Sequence, residues 1–334
     1  MIIVDPHPRD TAPGSADAEL GDARTINYLR ISVTDRCNLR CRYCMPEDQT
    51  FLDRDRLLSF EEIAQVASVL VERGVRKIRI TGGEPLLRRD LALLVGMLKA
   101  LPNPPEVALT TNAMLLDRHA AALRDAGLDR LNVSLDTLNA ERFERLARRP
   151  GLPAVMRGLD AAERAGFAGT KLNTVVMGGF NDDELGDMLA FSNERGFEQR
   201  FIEFMPMTSN SYGLDATRVP LSEIRARIEQ HGELAPRQRG TGPADTFTLS
   251  STGQRVGIIA AISLPFCETC NRVRLTSEGV LRSCLFDGGE VSIREMVRSG
   301  DLRDGLIESL EWLRRVKPPV HDGVGHVQMN RVGG

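Results

Sequence analysis

The sequence predicts an α/β protein, an open TIM-like partial barrel of six βα units followed by a less regular C-terminal region. From Tyr28 to about residue 206, short β-rich runs alternate with segments of helical period, the pattern of βα units around a parallel sheet. The alternation stops after six units, whereas a closed barrel of this kind needs eight. Beyond residue 207 the periodicity weakens, and Gly- and Pro-containing stretches near 232–245 mark a boundary or loop. The predicted organisation is a flexible N-terminal tail over 1–24, a barrel over 25–230 and a C-terminal region over 231–334.

The first 24 residues are rich in Asp, Pro, Gly and Ala without hydrophobic periodicity, which predicts a mobile segment. Strands follow at 28–34, 75–81, 106–111, 130–135, 170–177 and 198–205, with helices between them. The first helix carries a capping box, Ser59 with Glu62 three residues on, and stops at Gly74. Asp90 is placed to N-cap a helix over 91–100.

Composition excludes several classes. The 334 residues are 42% hydrophobic and 27% charged, the balance of an ordinary globular protein. One Trp, three Tyr and twelve Phe leave too few rings to stack along single-stranded nucleic acid. Forty-three basic against 46 acidic residues, a net charge of −3, argue against a broad basic surface for DNA or anionic lipid. No apolar run reaches the roughly 18 residues a bilayer requires, and the polar first 24 residues have no secretory or transit character. A cytoplasmic protein without nucleic-acid or membrane partners is expected.

Alternation inside the strands is more telling. Leu29, Ile31 and Val33 oppose Arg30, Ser32 and Thr34, and Ile78 and Ile80 oppose Lys77, Arg79 and Thr81. Leu131, Val133 and Leu135 oppose Asn132 and Ser134; Lys171 and Asn173 share a face, and Arg200 projects from the sixth strand. If the aliphatic faces meet the outer helices, the cations point inward, where a packed barrel carries Val, Ile and Leu. A buried, unpaired cation costs on the order of several kcal/mol, so a polyanionic ligand would supply the missing counter-charge. Against this stands a solvated half-sheet, since Lys and Arg are usually exposed.

The six cysteines fall into two groups, Cys37-x3-Cys41-x2-Cys44 after the first strand and Cys267-x2-Cys270-x13-Cys284 near the C-terminus. Short local spacings without an export signal favour metal over disulfides. Structural zinc nearly always has four protein ligands, and no His lies near the first loop; His321 and His326 could complete a zinc site on the second group, but no Cys or His motif spaces them with it. A [4Fe–4S] cluster normally takes four Cys, so three leave one iron open to a ligand. Arg272 and Arg274 alternate just after Cys270 and share one face, a pairing suited to phosphate oxygens.

The CxxxCxxC loop, followed one strand later by Thr81-Gly82-Gly83-Glu84-Pro85, resembles the radical SAM superfamily. The resemblance implies a [4Fe–4S] cluster on Cys37, Cys41 and Cys44 that chelates S-adenosylmethionine. Within it, the chain resembles the GTP-cyclising family that opens molybdenum cofactor synthesis. That match rests on Arg30–Asn38, Arg79–Leu86, Leu109–Asn112, Asn132–Asp136, Arg200–Met205, the second cysteine group and Gly333-Gly334. By resemblance, Tyr43, Gly83, Ser134 and Met205 contact S-adenosylmethionine, and Arg30, Arg79, Thr110, Lys171, Arg272 and Arg274 contact GTP, with Lys77 and Arg200 lining the triphosphate pocket. Cys267, Cys270 and Cys284 hold a second cluster that takes the guanine, and Gly333 and Gly334 enter the active site as a catalytic tail. A 5′-deoxyadenosyl radical would remove hydrogen from ribose C3′, and the carbon radical would attack guanine C8. The same resemblance implies an unidentified electron donor and hand-over of product to the next pathway enzyme, and leaves homodimerisation open. The rival readings are a radical SAM enzyme acting on a peptide or another small molecule, and a zinc-stabilised binding protein.

Overall fold

The computed structural model describes residues 3–4, 24–205, 207, 213–236, 238–239, 242–286, 288–321, 323, 325 and 328–333. The mobile segment expected over 1–24 lies outside them, apart from Ile3–Val4 and Arg24.

The chain enters through β1 (Ile3–Val4) and β2 (Tyr28–Ser32), then α1 (Phe60–Glu72), β3 (Lys77–Thr81), α2 (Leu91–Lys99) and β4 (Glu106–Thr111). Next come α3 (Leu116–Asp125), β5 (Arg130–Ser134), α4 (Ala140–Ala147), α5 (Leu152–Arg164), β6 (Lys171–Gly178), α6 (Leu185–Glu194) and β7 (Glu198–Glu203). The strands β2 to β7 are the six expected, shortened mainly at ends where loops begin. After them lie β8 (Thr217–Arg218), α7 (Leu221–Glu229), β9 (Gln238–Arg239), β10 (Asp245–Thr248) and β11 (Arg255–Ile259). The chain closes with β12 (Arg272–Leu275), β13 (Val280–Arg282), β14 (Glu290–Ser292), α8 (Arg294–Ser299), α9 (Arg303–Val316) and α10 (Met329–Val332).

Two compact units result. The first holds Met1–Cys37, Thr50–Ala108 and Phe266–Gly334, the second Asn38–Gln49 and Leu109–Pro265; β4 begins in one and ends in the other. In the first unit the strand order is β1-β14-β13-β12-β2-β3-β4, with β12, β2 and β3 parallel. In the second it is β4-β5-β6-β7-β11-β10-β9, with β5, β6, β7 and β11 parallel and β8 antiparallel to β6. Thus the region that looks irregular in sequence adds a parallel strand to each unit. These two strands, β11 and β12, are short and have no α-helix directly before or after them, so the βα period that reveals the first six is missing.

The aliphatic strand faces form the cores as expected: Leu29, Ile31, Ile78 and Ile80 are fully buried in the first unit, Val133 and Leu172 in the second. In α1, Ile63, Val66, Ala67 and Leu70 make the buried stripe, and the Ser59–Glu62 capping box forms in both directions. Asp90 stands at the start of α2 but makes no side-chain cap. An N-cap needs extended backbone to swing its oxygen over the first turn, and Asp90 is left-handed with φ 58°. Among the described residues, no helix is long and apolar enough to cross a membrane.

Two helical glycines make a paired test. A Cβ on Gly158 of α5 would stand 2.1 Å from the Ala113 carbonyl oxygen, while one on Gly96 of α2 would meet nothing within 4 Å. Gly158→Ala should therefore destabilise the protein by about 1–3 kcal/mol through overpacking, and Gly96→Ala should leave it unchanged or stabilise it by up to about 1 kcal/mol. Anaerobic denaturant titration of the two variants checks both signs.

Candidate functional site

In the first unit, strand register assembles the cations. Arg274 of β12 is aligned with Arg30 of β2, and Arg30 with Arg79 of β3, so three guanidiniums stand in one row across parallel strands. The next row is Arg272, Tyr28 and Lys77. Like charges on neighbouring strands in a dry place raise each other's cost. Burial and the neighbouring Arg274 hold Arg30 well below the ordinary arginine value, and burial and Arg272 bring Arg274 down to about 10. Tyr28 carries the opposite response: burial alone would raise its phenol, but Arg79, Arg30 and Lys77 bring it down to about 8. Its hydroxyl accepts from Arg79 Nε, and the Lys77 ammonium lies 5.5 Å from its ring centre. Tyr28 was not among the predicted residues, although its place two before Arg30 puts it on the same face.

The predicted tail residue Gly333 sits against this row. Arg30 Nη2 donates to its carbonyl at 3.0 Å and Arg274 Nη1 at 2.7 Å, with a second Arg274 bond to the Val332 carbonyl at 3.1 Å. Gly333 is left-handed at φ 67°, and a Cβ there would stand 2.1 Å from Thr81 Oγ1, so only glycine fits. Upstream, Asn330 Nδ2 donates to the Asp35 carbonyl at 3.1 Å and fixes α10 in place. Gly334 lies outside the described residues.

Gly82 and Gly83 follow β3 and lie on the Thr34–Arg36 backbone that leads into Cys37. Gly83 N–H donates to the Thr34 carbonyl and Glu84 N–H to the Arg36 carbonyl, both at 2.7 Å. A Cβ on Gly83 would come within 2.3 Å of the Arg36 oxygen. The glycines are thus required by backbone packing between two loops, before any ligand is considered.

The second cysteine group also lies in this unit. Arg272 and Lys317 face Cys270: burial alone would raise that thiol, but the two cations and the Arg272 N–H bring it to about 6. Cys267 goes the other way, pushed up by burial despite a hydrogen bond from the His321 N–H. A thiolate at neutral pH is what an iron ligand must be, so Cys270 fits the role of a cluster ligand. No disulfide joins any of the six cysteines, all of which are described. Among the described residues, no group of three or more His, Cys, Asp or Glu side chains could hold a single metal ion. The His321 ring stacks on Phe286 at 4.1 Å and its Nδ1 accepts from Gly323 N–H, while His326 lies outside the described residues.

The second unit repeats the row pattern. Ser134, Asn173 and Arg200 are aligned across β5, β6 and β7, and Asn132, Lys171 and Glu198 form the neighbouring row. Arg200 is held by Glu198, Nη2 to carboxylate at 2.6 Å, much as Lys77 of the first unit is held by Glu106 at 2.8 Å. For these two predicted pocket residues the protein itself supplies a carboxylate. Thr110 is half-buried on β4, and Met205 half-buried just after β7.

The part of the cysteine loop in this unit is pinned by Arg40 N–H and Arg42 N–H donating to the Ala147 and Leu146 carbonyls at the end of α4, and turns through Cys44 N–H to the Cys41 carbonyl at 2.9 Å. Tyr43 packs on Leu146, Met177, Phe180 and Phe204. Its hydroxyl donates to Asp136 Oδ2 at 2.8 Å, and Asp136 Oδ1 accepts from Val175 N–H. Burial lifts Asp136 to about 6 in spite of these bonds, and burial, with the charges of Asp136, Cys41 and Cys44, raises Tyr43 well above the phenol range. Asp136 is a further residue the sequence reading passed over, two positions beyond Ser134 in the same motif.

Comparison with known proteins places this geometry. Residues 31–192 match the family model described as the radical SAM superfamily, and 197–323 the model described as Molybdenum Cofactor Synthesis C. A protein of Rhodopirellula baltica named GTP 3′,8-cyclase is 48% identical over 305 residues, covering 89% of this chain and 85% of the relative. Proteins of the same name from Acidothermus cellulolyticus and Brucella melitensis are 48% and 41% identical, covering 87% and 92% of this chain and 84% and 90% of theirs. Among solved structures, Streptococcus suis SuiB bound to S-adenosylmethionine aligns with a TM-score of 0.64 at 14% identity, over 86% of this chain and 68% of that one. The chain has the radical SAM fold with a C-terminal extension and belongs to that superfamily. Within it, the chain is a member of the GTP 3′,8-cyclase family.

The buried Asp136 carboxyl sets a pH dependence. A raised acid value means that the folded protein holds the proton more tightly than the unfolded chain, so this group's contribution to stability is largest below about pH 4 and is lost as pH rises through about 6. Between pH 5 and 7 the wild type should lose about 1 kcal/mol relative to Asp136→Asn. Anaerobic unfolding of both proteins across that range checks it, and parallel curves would contradict it.

Proposed function

We infer that this chain is a cytoplasmic lyase that converts GTP to 3′,8-cyclo-7,8-dihydroguanosine triphosphate, the step that opens molybdenum cofactor synthesis. The observation that carries the substrate reading is the row Arg274, Arg30 and Arg79, with Arg272 beside it. Guanidiniums aligned on neighbouring strands raise one another's cost, an anion lowers it, and a triphosphate offers oxygens enough for several forks.

When bound, two [4Fe–4S] clusters and S-adenosylmethionine would supply the one-electron chemistry of the reaction. The chain's residues do the rest by binding and orientation. Arg272, Arg274, Arg30 and Arg79 hold the triphosphate, with Lys77, Thr110, Lys171 and Arg200 adding contacts. Lys77 and Arg200 are held by their carboxylates at set positions, so they orient more than they neutralise. Tyr28 fixes the Arg79 fork through its hydroxyl. Cys37, Cys41 and Cys44 hold the first cluster and Cys267, Cys270 and Cys284 the second; Tyr43, Gly83, Ser134 and Met205 line the S-adenosylmethionine site. The Gly333 carbonyl accepts from Arg30 and Arg274, which supports the reading of Gly333 and Gly334 as a tail that enters the active site. Restricting the ribose to one pose is the orientation term that suppresses side reactions of a radical. The proposal includes a one-electron donor and delivery of product to a following enzyme.

Anaerobic, cluster-loaded protein given GTP, S-adenosylmethionine and a strong reductant should yield 5′-deoxyadenosine and a cyclised nucleotide; absence of both sinks the reading. Arg272→Ala and Arg274→Ala should each weaken GTP binding about ten- to a hundred-fold and guanosine binding little, measured by anaerobic calorimetry. Equal losses for both ligands would argue against triphosphate contacts.

A further inference from the structure

Lys317 follows α9 and is the buried one of the chain's four lysines, 4% exposed. Its backbone is extended, ψ 122°, and its carbonyl accepts from Arg24 Nη1 at 2.9 Å. The ammonium donates to the Arg272 carbonyl at 2.5 Å and to the Ser283 carbonyl at 2.9 Å. Arg272 lies two residues after Cys270, and Ser283 immediately precedes Cys284. One buried cation therefore ties together the two backbone segments that carry two of the three cysteines of the second group, and it also faces the Cys270 sulfur. An ammonium buried here is costly; two carbonyl dipoles partner it, and the thiolates of Cys270 and Cys284 are charges that favour it.

We propose that Lys317 is a positioning residue for the second cluster, holding the Cys270 and Cys284 segments at the separation that the cluster needs and stabilising its reduced, more negative state. This rests on the reading of Cys267, Cys270 and Cys284 as cluster ligands. A fixed positive charge beside thiolates favours added negative charge, so it raises the reduction potential. Arg272 contributes charge from the strand side and stacks on the Phe266 ring at 4.8 Å, while Lys317 bonds a carbonyl of each segment.

The test uses the full chain with Cys37, Cys41 and Cys44 changed to Ala, so that the second cluster alone is read. After anaerobic reconstitution, iron and sulfide content and an EPR-monitored redox titration are compared for this protein and for its Lys317→Met and Lys317→Arg variants. Met keeps the stem and removes the charge; Arg keeps the charge. Expected is a loss of bound iron or a midpoint shifted to lower potential in Lys317→Met, with both restored in Lys317→Arg. Wild-type iron content and midpoint in Lys317→Met overturn the proposal, as does a Lys317→Arg variant that behaves like Met, because the effect would then be one of packing. If the parent triple variant binds no iron, the cluster reading itself fails, and the proposal with it.

Discussion

Side-by-side guanidiniums on adjacent parallel strands are the constraint around which the first unit is organised. Parallel register puts Arg274, Arg30 and Arg79 at one level, and no rotation of a single side chain removes it from the others' field. The responses are visible nearby. Tyr28 gives up part of its hold on its proton, Gly333 turns a carbonyl onto two of the three cations, and α10 is fastened through Asn330 so that this carbonyl stays in place. Each of these responses is a dipole or a weak acid. A ligand with several negative oxygens completes what the protein begins.

The second unit solves a related problem differently. Arg200 and Lys171 lie on the polar faces of neighbouring strands, and Glu198 stands beside both, paired with one by ion pair and aligned with the other by register. Cations that already own a carboxylate bind anions less tightly but are better placed, since their rotamers are settled before a ligand arrives. Cations answered by dipoles and cations answered by a carboxylate therefore coexist in one chain.

How much of this was legible follows from period. The six strands β2 to β7 and the alternation that sends cations to one face are carried by residues two apart, and they could be read directly. So could the two cysteine groups, whose spacing is local. What was hidden depends on contacts between distant segments. The parallel partners β11 and β12 are short strands with no helix to announce them. Tyr28 was within reach, as it shares the face of Arg30, but its meaning depends on Lys77 and Arg79 in the next strand. Lys317 had no local signal: a lysine at the end of an ordinary amphipathic helix becomes a buried cation only because β12 and the Ser283 segment meet there. Asp90 shows the converse, a residue of the right type at the right place whose backbone conformation denies it the role.

The contact between Gly83 and the segment before Cys37 is made entirely of backbone atoms on both sides. That makes its tolerance to sequence drift one-sided. Thr34, Asp35 and Arg36 offer carbonyls that every amino acid possesses, so mutation there leaves the contact's chemistry intact. Gly83 offers an absence, which no other amino acid can reproduce. Two loops that depend equally on each other in space are therefore unequal in what their codons can bear.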